Sequence, residues 1–173
     1  AGLVANNRTS RSPCTARLES LRLTDNGLKT ENFADEHFER LRFSRVDKLI
    51  QFGWGLEAPD PRLGNDNFSL RWSGQLEPKS SGNYAFHWDA DNEARLWIDG
   101  QLLPQASFRR DERRDVRLVP LQAGQRYDLT CEYVEKEGEA SVRLGWSGPG
   151  QARDTIPTSC LFCTVEPKVS AQT

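Results

Sequence analysis

The chain of 173 residues is 36% hydrophobic and 28% charged, and its 5 Trp, 8 Phe and 3 Tyr exclude a disordered composition. That length holds one domain with a real core and short extensions. The 23 Lys and Arg against 25 Asp and Glu leave a net charge of −2. This lacks the basic excess of a nucleic-acid binder, and no apolar run approaches the roughly 20 residues of a membrane-spanning helix.

In chain order, residues 1–20 are polar without periodicity and read as an N-terminal extension. A domain is expected over residues 21–167, with 168–173 as a C-terminal tail. At most one short helix is allowed for, near residues 35–41 (DEHFERL). Strand-like runs follow at 68–72 (FSLRW), 83–88 (NYAFHW), 94–99 (ARLWID), 126–134 (RYDLTCEYV) and 140–146 (ASVRLGW). Their period-two alternation marks strands with one buried face: Phe68, Leu70 and Trp72 share one, as do Tyr127, Leu129, Cys131 and Tyr133. Turn signals separate them, among them KSSGN at 79–83, Asp99–Gly100 and SGPG at 147–150. The mixed-sign run RRDERR at 109–114 reads as a solvated loop. Short strands without long helical patterns predict an all-β, antiparallel sandwich or barrel.

The cysteines are Cys14, Cys131, Cys160 and Cys163. One CxxC pair with two unmatched histidines, His37 and His87, does not make a zinc site. Nor does that CxxC open a helix, as a redox motif would. Cys131 reads as a buried thiol on a strand, and a disulfide from Cys14 to one of the C-terminal pair is expected.

Seven segments occur in order: GLKTENF (27–33), IQFGWG (50–55), DNFSLRWSGQLE (66–77), SGNY (81–84), DNEARLWIDG (91–100), LQAGQRYDLTCEY (121–133) and IPTS (156–159). Together they resemble the PA14 domain over residues 24–165. The resemblance implies a jelly-roll-like β-sandwich, found as a module in secreted glycosidases, adhesins and toxin pro-regions. The family's best-known activity is calcium-dependent glycan binding. Its lectin members hold calcium with two adjacent aspartates joined by a cis peptide. The matching pair here is Asp91–Asn92, so one carboxylate is replaced by an amide. An amide oxygen still ligates calcium, but the site loses one negative charge and should bind more weakly.

A second family loop, after the strand ending near Tyr133, supplies one side chain and two main-chain carbonyls. The resemblance places these at Glu135, and at Glu137 and Glu139. Glu135 would restore the missing charge. Asp89 is a further candidate nearby. The implied metal set is therefore Asp91, Asn92, Glu135, Glu137 and Glu139, and the carbohydrate set is Asp91, Asn92, Glu135 and Trp146. Each has a plainer reading. Asp91–Asn92 suits a turn, the three glutamates suit a solvated hairpin loop, and Trp146 suits a core as well as a sugar-stacking platform. Trp72 and Trp97 read as core, whereas Trp54 and Trp88 stay open.

No GxSxG, HExxH, P-loop or GxGxxG motif is present, and no nucleophile–base pair stands out. A binding module is expected, not an enzyme. Its partners would be a glycan or glycoprotein and neighbouring domains of a longer chain, and its place extracellular, at the cell surface or periplasmic. The alternative is a structural or protein-interaction module without metal, excised from a larger enzyme, adhesin or toxin.

Overall fold

The computed structural model describes residues 23–105 and 116–165. The expected extension and tail, Cys14 and the RRDERR run lie outside these residues. The strands are β1 (Leu23–Asn26), β2 (Leu28–Phe33), β3 (Leu41–Asp47), β4 (Gln51–Gly55), β5 (Phe68–Leu76), β6 (Gly82–Asp91), β7 (Glu93–Ile98), β8 (Gln101–Leu102), β9 (Leu118–Leu121), β10 (Tyr127–Glu135), β11 (Ala140–Gly148), β12 (Gln151–Thr155) and β13 (Leu161–Val165). One sheet has eight strands, ordered β1-β13-β5-β10-β7-β8, with β2 on β5 and β3 on β2. The other has five, ordered β12-β11-β6-β9, with β4 on β11. Every pairing is antiparallel. The chain is an all-β sandwich, as its alternation predicts.

Alternation also builds the core. Phe68, Leu70, Trp72 and Leu76 of β5 and Tyr127, Leu129, Cys131 and Tyr133 of β10 face inward from the first sheet. Tyr84, Phe86 and Trp88 of β6 and Val142, Leu144 and Trp146 of β11 face them from the second. Burial of these large side chains is the main stabilising term. Trp97 departs from expectation. Ala94, Leu96 and Ile98 take the inward positions of β7, which leaves Trp97 half-buried on the outer face. Trp88 resolves into the core, where its indole N–H donates to the Ala94 carbonyl at 3.2 Å.

The sequence allows at most one short helix near 35–41, and none forms there. The Asp35 carboxylate instead accepts the main-chain N–H groups of His37, Glu39 and Arg40 at 2.7, 3.2 and 2.6 Å, and Phe38 takes a left-handed φ of 61°. The side chain thus captures the donors a helix would have used. Among the described residues the helical structure is one 3-10 turn, Thr158–Cys160.

Register decides what meets at one end of the sandwich. Phe33 pairs with Leu41 and Ser69, Glu135 with Phe68, Asp91 with Ser141, and Ala140 with Gly55. The β2–β3, β4–β5 and β10–β11 connections therefore gather at the same end. So does Asn92, the one residue between β6 of one sheet and β7 of the other.

Candidate functional site

At this end, β6 delivers Asp91 and β10 delivers Glu135. The Asp91–Asn92 peptide is cis, as the resemblance implies. Both residues are exposed. The Asn92 amide nitrogen donates to Asp91 Oδ1 at 3.2 Å, and its Oδ1 accepts the Lys136 main-chain N–H at 2.8 Å. A second carboxylate at this position would repel Asp91. The amide instead bonds to it and ties the β6–β7 corner to the β10–β11 turn. Asp66 adds a third anchor, accepting the Gly138 N–H at 3.2 Å, while Asn67 N–H donates to the Lys136 carbonyl at 3.2 Å.

Glu135 lies beneath this rim and is 0% exposed. Its parity explains why: it continues the inward row of Tyr127, Leu129, Cys131 and Tyr133. Its Oε2 lies 2.6 Å from the Tyr133 hydroxyl, which also bonds to the main-chain oxygen of Asp91. Its Oε1 is buried without a hydrogen-bond partner. Burial pushes the Glu135 carboxyl above the usual carboxylate range; Asp91 and Asp66 push the same way, while the Tyr133 hydrogen bond opposes them. Burial likewise raises Tyr133, with Glu135 adding to it.

The phenol has one proton for two acceptors. When it donates to the Asp91 carbonyl, a neutral Glu135 must donate to the phenol. When Glu135 is ionised, the proton turns toward the carboxylate and the Asp91 carbonyl loses its donor. The charge of Glu135 is thereby coupled to the Asp91 main chain through Tyr133.

Glu137 and Glu139 lie exposed on the turn around Gly138, whose φ is +100°. Among the described residues no three His, Cys, Asp or Glu side chains are grouped to hold a metal by themselves. A calcium ion here would have to draw on the Asn92 amide oxygen and main-chain carbonyls as well. Asp89 stands farther back on β6, opposite Arg143.

Trp146 requires correction as a carbohydrate residue. It is 1% exposed, packed against Tyr84 and Phe86 with ring centroids 4.8 and 6.3 Å away. Its alternation with Val142 and Leu144 sends it into the core, and no ring face remains for a sugar. Trp54 is the aromatic beside the site. It is half-buried, stacks on Phe52 at 5.0 Å, and lies 5.9 Å from Tyr133 and 6.2 Å from Phe68. The IQFGWG segment gave only a bare alternation, which does not tell a core ring from a rim ring.

Cys131, Cys160 and Cys163 are buried free thiols. The Cys131 reading holds. The expected disulfide involves Cys14, outside the described residues, but neither of its proposed partners is bridged here. Burial pushes Cys131 up to about 12 and also raises Cys160 and Cys163, which makes all three poor nucleophiles.

The family model of the PA14 domain matches residues 24–159. The anti-sigma-I factor RsgI3 of Acetivibrio thermocellus is 36% identical over 156 residues, covering 90% of this chain and 24% of that protein. The chain therefore spans about a quarter of the length of this curated relative. A solved anti-sigma factor domain-containing protein is 36% identical with a TM-score of 0.73, covering 82% of this chain and 48% of that one. The epithelial adhesin 9 A domain of Candida glabrata, solved in complex with Galβ1-4GlcNAc, shares the fold at 16% identity, with a TM-score of 0.63 and coverage of 82% and 90%.

Proposed function

We propose that this chain, which belongs to the PA14 domain family, is a carbohydrate-binding module that engages its ligand through calcium held at the Asp91–Asn92 corner and Glu135. The observation that carries this is the buried, unpartnered Glu135 Oε1 next to the Asp91 and Asp66 charges. A buried carboxylate oxygen without a donor is costly, and a cation would relieve both the missing partner and the like-charge repulsion. Asp91 would supply one carboxylate, Glu135 the second, Asn92 its amide oxygen, and Glu137 and Glu139 main-chain carbonyls. A bound calcium ion accepts six to eight oxygens, which leaves positions that sugar hydroxyls can fill. The module binds and does not catalyse. It works outside the cytoplasm, as one part of a longer protein whose other parts respond to the ligand, in keeping with its likeness to part of an anti-sigma factor.

A second reading has its own support. The Asn92 amide already satisfies Asp91 and Lys136 without an ion, as a scaffold that has given up metal would require. Capture on an immobilised oligosaccharide array separates the two. Wild-type protein is expected to bind in calcium and lose binding in EDTA, and Asp91→Ala to lose it in both. EDTA-insensitive capture, or capture unaffected by Asp91→Ala, would reject the calcium-bridged mode.

A further inference from the structure

We propose that Trp54 is the apolar wall of the ligand site, against which the C–H face of a pyranose ring lies while its hydroxyls meet the Asp91–Asn92–Glu135 rim. This rests on the carbohydrate reading above and names what the ligand must present: a ring with one apolar face and vicinal hydroxyls at its edge.

One side chain joins the two halves of such a site. The ring of Tyr133 lies 5.9 Å from that of Trp54, and its hydroxyl bonds to Glu135 and to the Asp91 main-chain oxygen. Tyr133 thus bridges the Trp54 ring and the buried carboxylate. Trp54 is also held rigidly. Phe52 stacks on it with an interplanar angle of 8°, and Phe68 meets it edge-on at 83°. A ring fixed by its neighbours yet not fully buried loses little freedom when a ligand settles on it.

Just after Trp54, Leu56 is 68% exposed, the most open large apolar side chain among the described residues. An aromatic wall with an exposed aliphatic neighbour beside a few convergent polar groups is the general make-up of a small-ligand site. The polar partner is anionic and oxygen-rich, which suits a hydroxylated ring held through a cation better than an apolar ligand or an anion.

The test uses the same oligosaccharide array in millimolar calcium, with melts of each variant with and without calcium. Trp54→Ala is expected to lose affinity about thirtyfold or more, as removal of a hot-spot aromatic does. Trp54→Phe should keep most of it, and both should keep the calcium-induced rise in melting temperature. Trp54→Ala binding like wild type, with that rise intact, would overturn the role of Trp54 and leave the calcium-bridged reading standing. Failure of wild type to capture any saccharide would overturn both. Should Trp54→Ala not fold, the Trp54 indole N–H resonance of the wild type, assigned by its absence from Trp54→Phe, must shift when the best array ligand is added. An unmoved resonance rejects the contact.

Discussion

Glu135→Gln is expected to raise the melting temperature of the calcium-free protein and to abolish its response to calcium. In wild type this carboxylate is fully buried, with one oxygen unpartnered and two further acids within electrostatic reach. The amide removes the charge but keeps a group that can donate to Tyr133. A gain of about 1 kcal/mol would appear as roughly 2–4 °C in a domain of this size. The pH dependence has a definite sign. The folded-state pKa of Glu135 is raised, so the unfolded chain gives up its proton first, from about pH 4 upward. Through that window the folded state binds more protons, and wild-type stability falls as pH rises until the raised value is passed. Glu135→Gln lacks this fall. Calcium affinity should climb over the same window, because the ligand is the ionised form. Melts across pH, with and without calcium, check both halves. A variant less stable than wild type without calcium, or one still stabilised by it, would contradict the assignment.

Trp146→Ala is expected to cost about 3–5 kcal/mol, because it opens a large cavity in the core beside Tyr84 and Phe86. At this size that lowers the melting temperature by about 10 °C. Trp146→Phe should cost much less. It keeps a ring against Tyr84 and Phe86 and removes an indole N–H that is buried without a partner. A surface platform for sugar would show the reverse: stability unchanged and saccharide binding lost. Thermal melts of the two variants, beside array binding of Trp146→Phe, separate a core residue from a ligand residue.

Much of this was legible in the residues, and parity is the reason. The row Tyr127, Leu129, Cys131, Tyr133 marks the inner face of β10, and one more step places Glu135 on it. Burial of that carboxylate was therefore readable from the same alternation that revealed the strand. Parity equally sends Trp146 inward behind Val142 and Leu144, and Trp97 outward between Leu96 and Ile98. The spacing of DEHFERL resembles a helix, but a tertiary contact decides otherwise. Asp35 sits 8% exposed with its carbonyl accepting the Ser69 hydroxyl at 2.7 Å, and its side chain takes the local N–H groups. The role of Asn92 as a tie between two loops depends on Lys136, 44 residues away, and no local pattern encodes such a pairing. Trp54 was undecidable for a related reason. Whether an edge-strand ring is core or rim depends on which strand ends surround it, and here these are β5 and β10 from the opposite sheet.

The proposal that the Glu135 and Asp91 carboxylates hold a cation stands or falls on the melting temperature of the wild-type protein in millimolar calcium against EDTA. A site with a dissociation constant of about 0.1 mM, filled at ten times that concentration, adds about 1.4 kcal/mol, or roughly 3–6 °C. A calcium-specific rise of that order is the predicted result. Superimposable melts would contradict it, and would mean that the Asn92 amide has taken the ion's place.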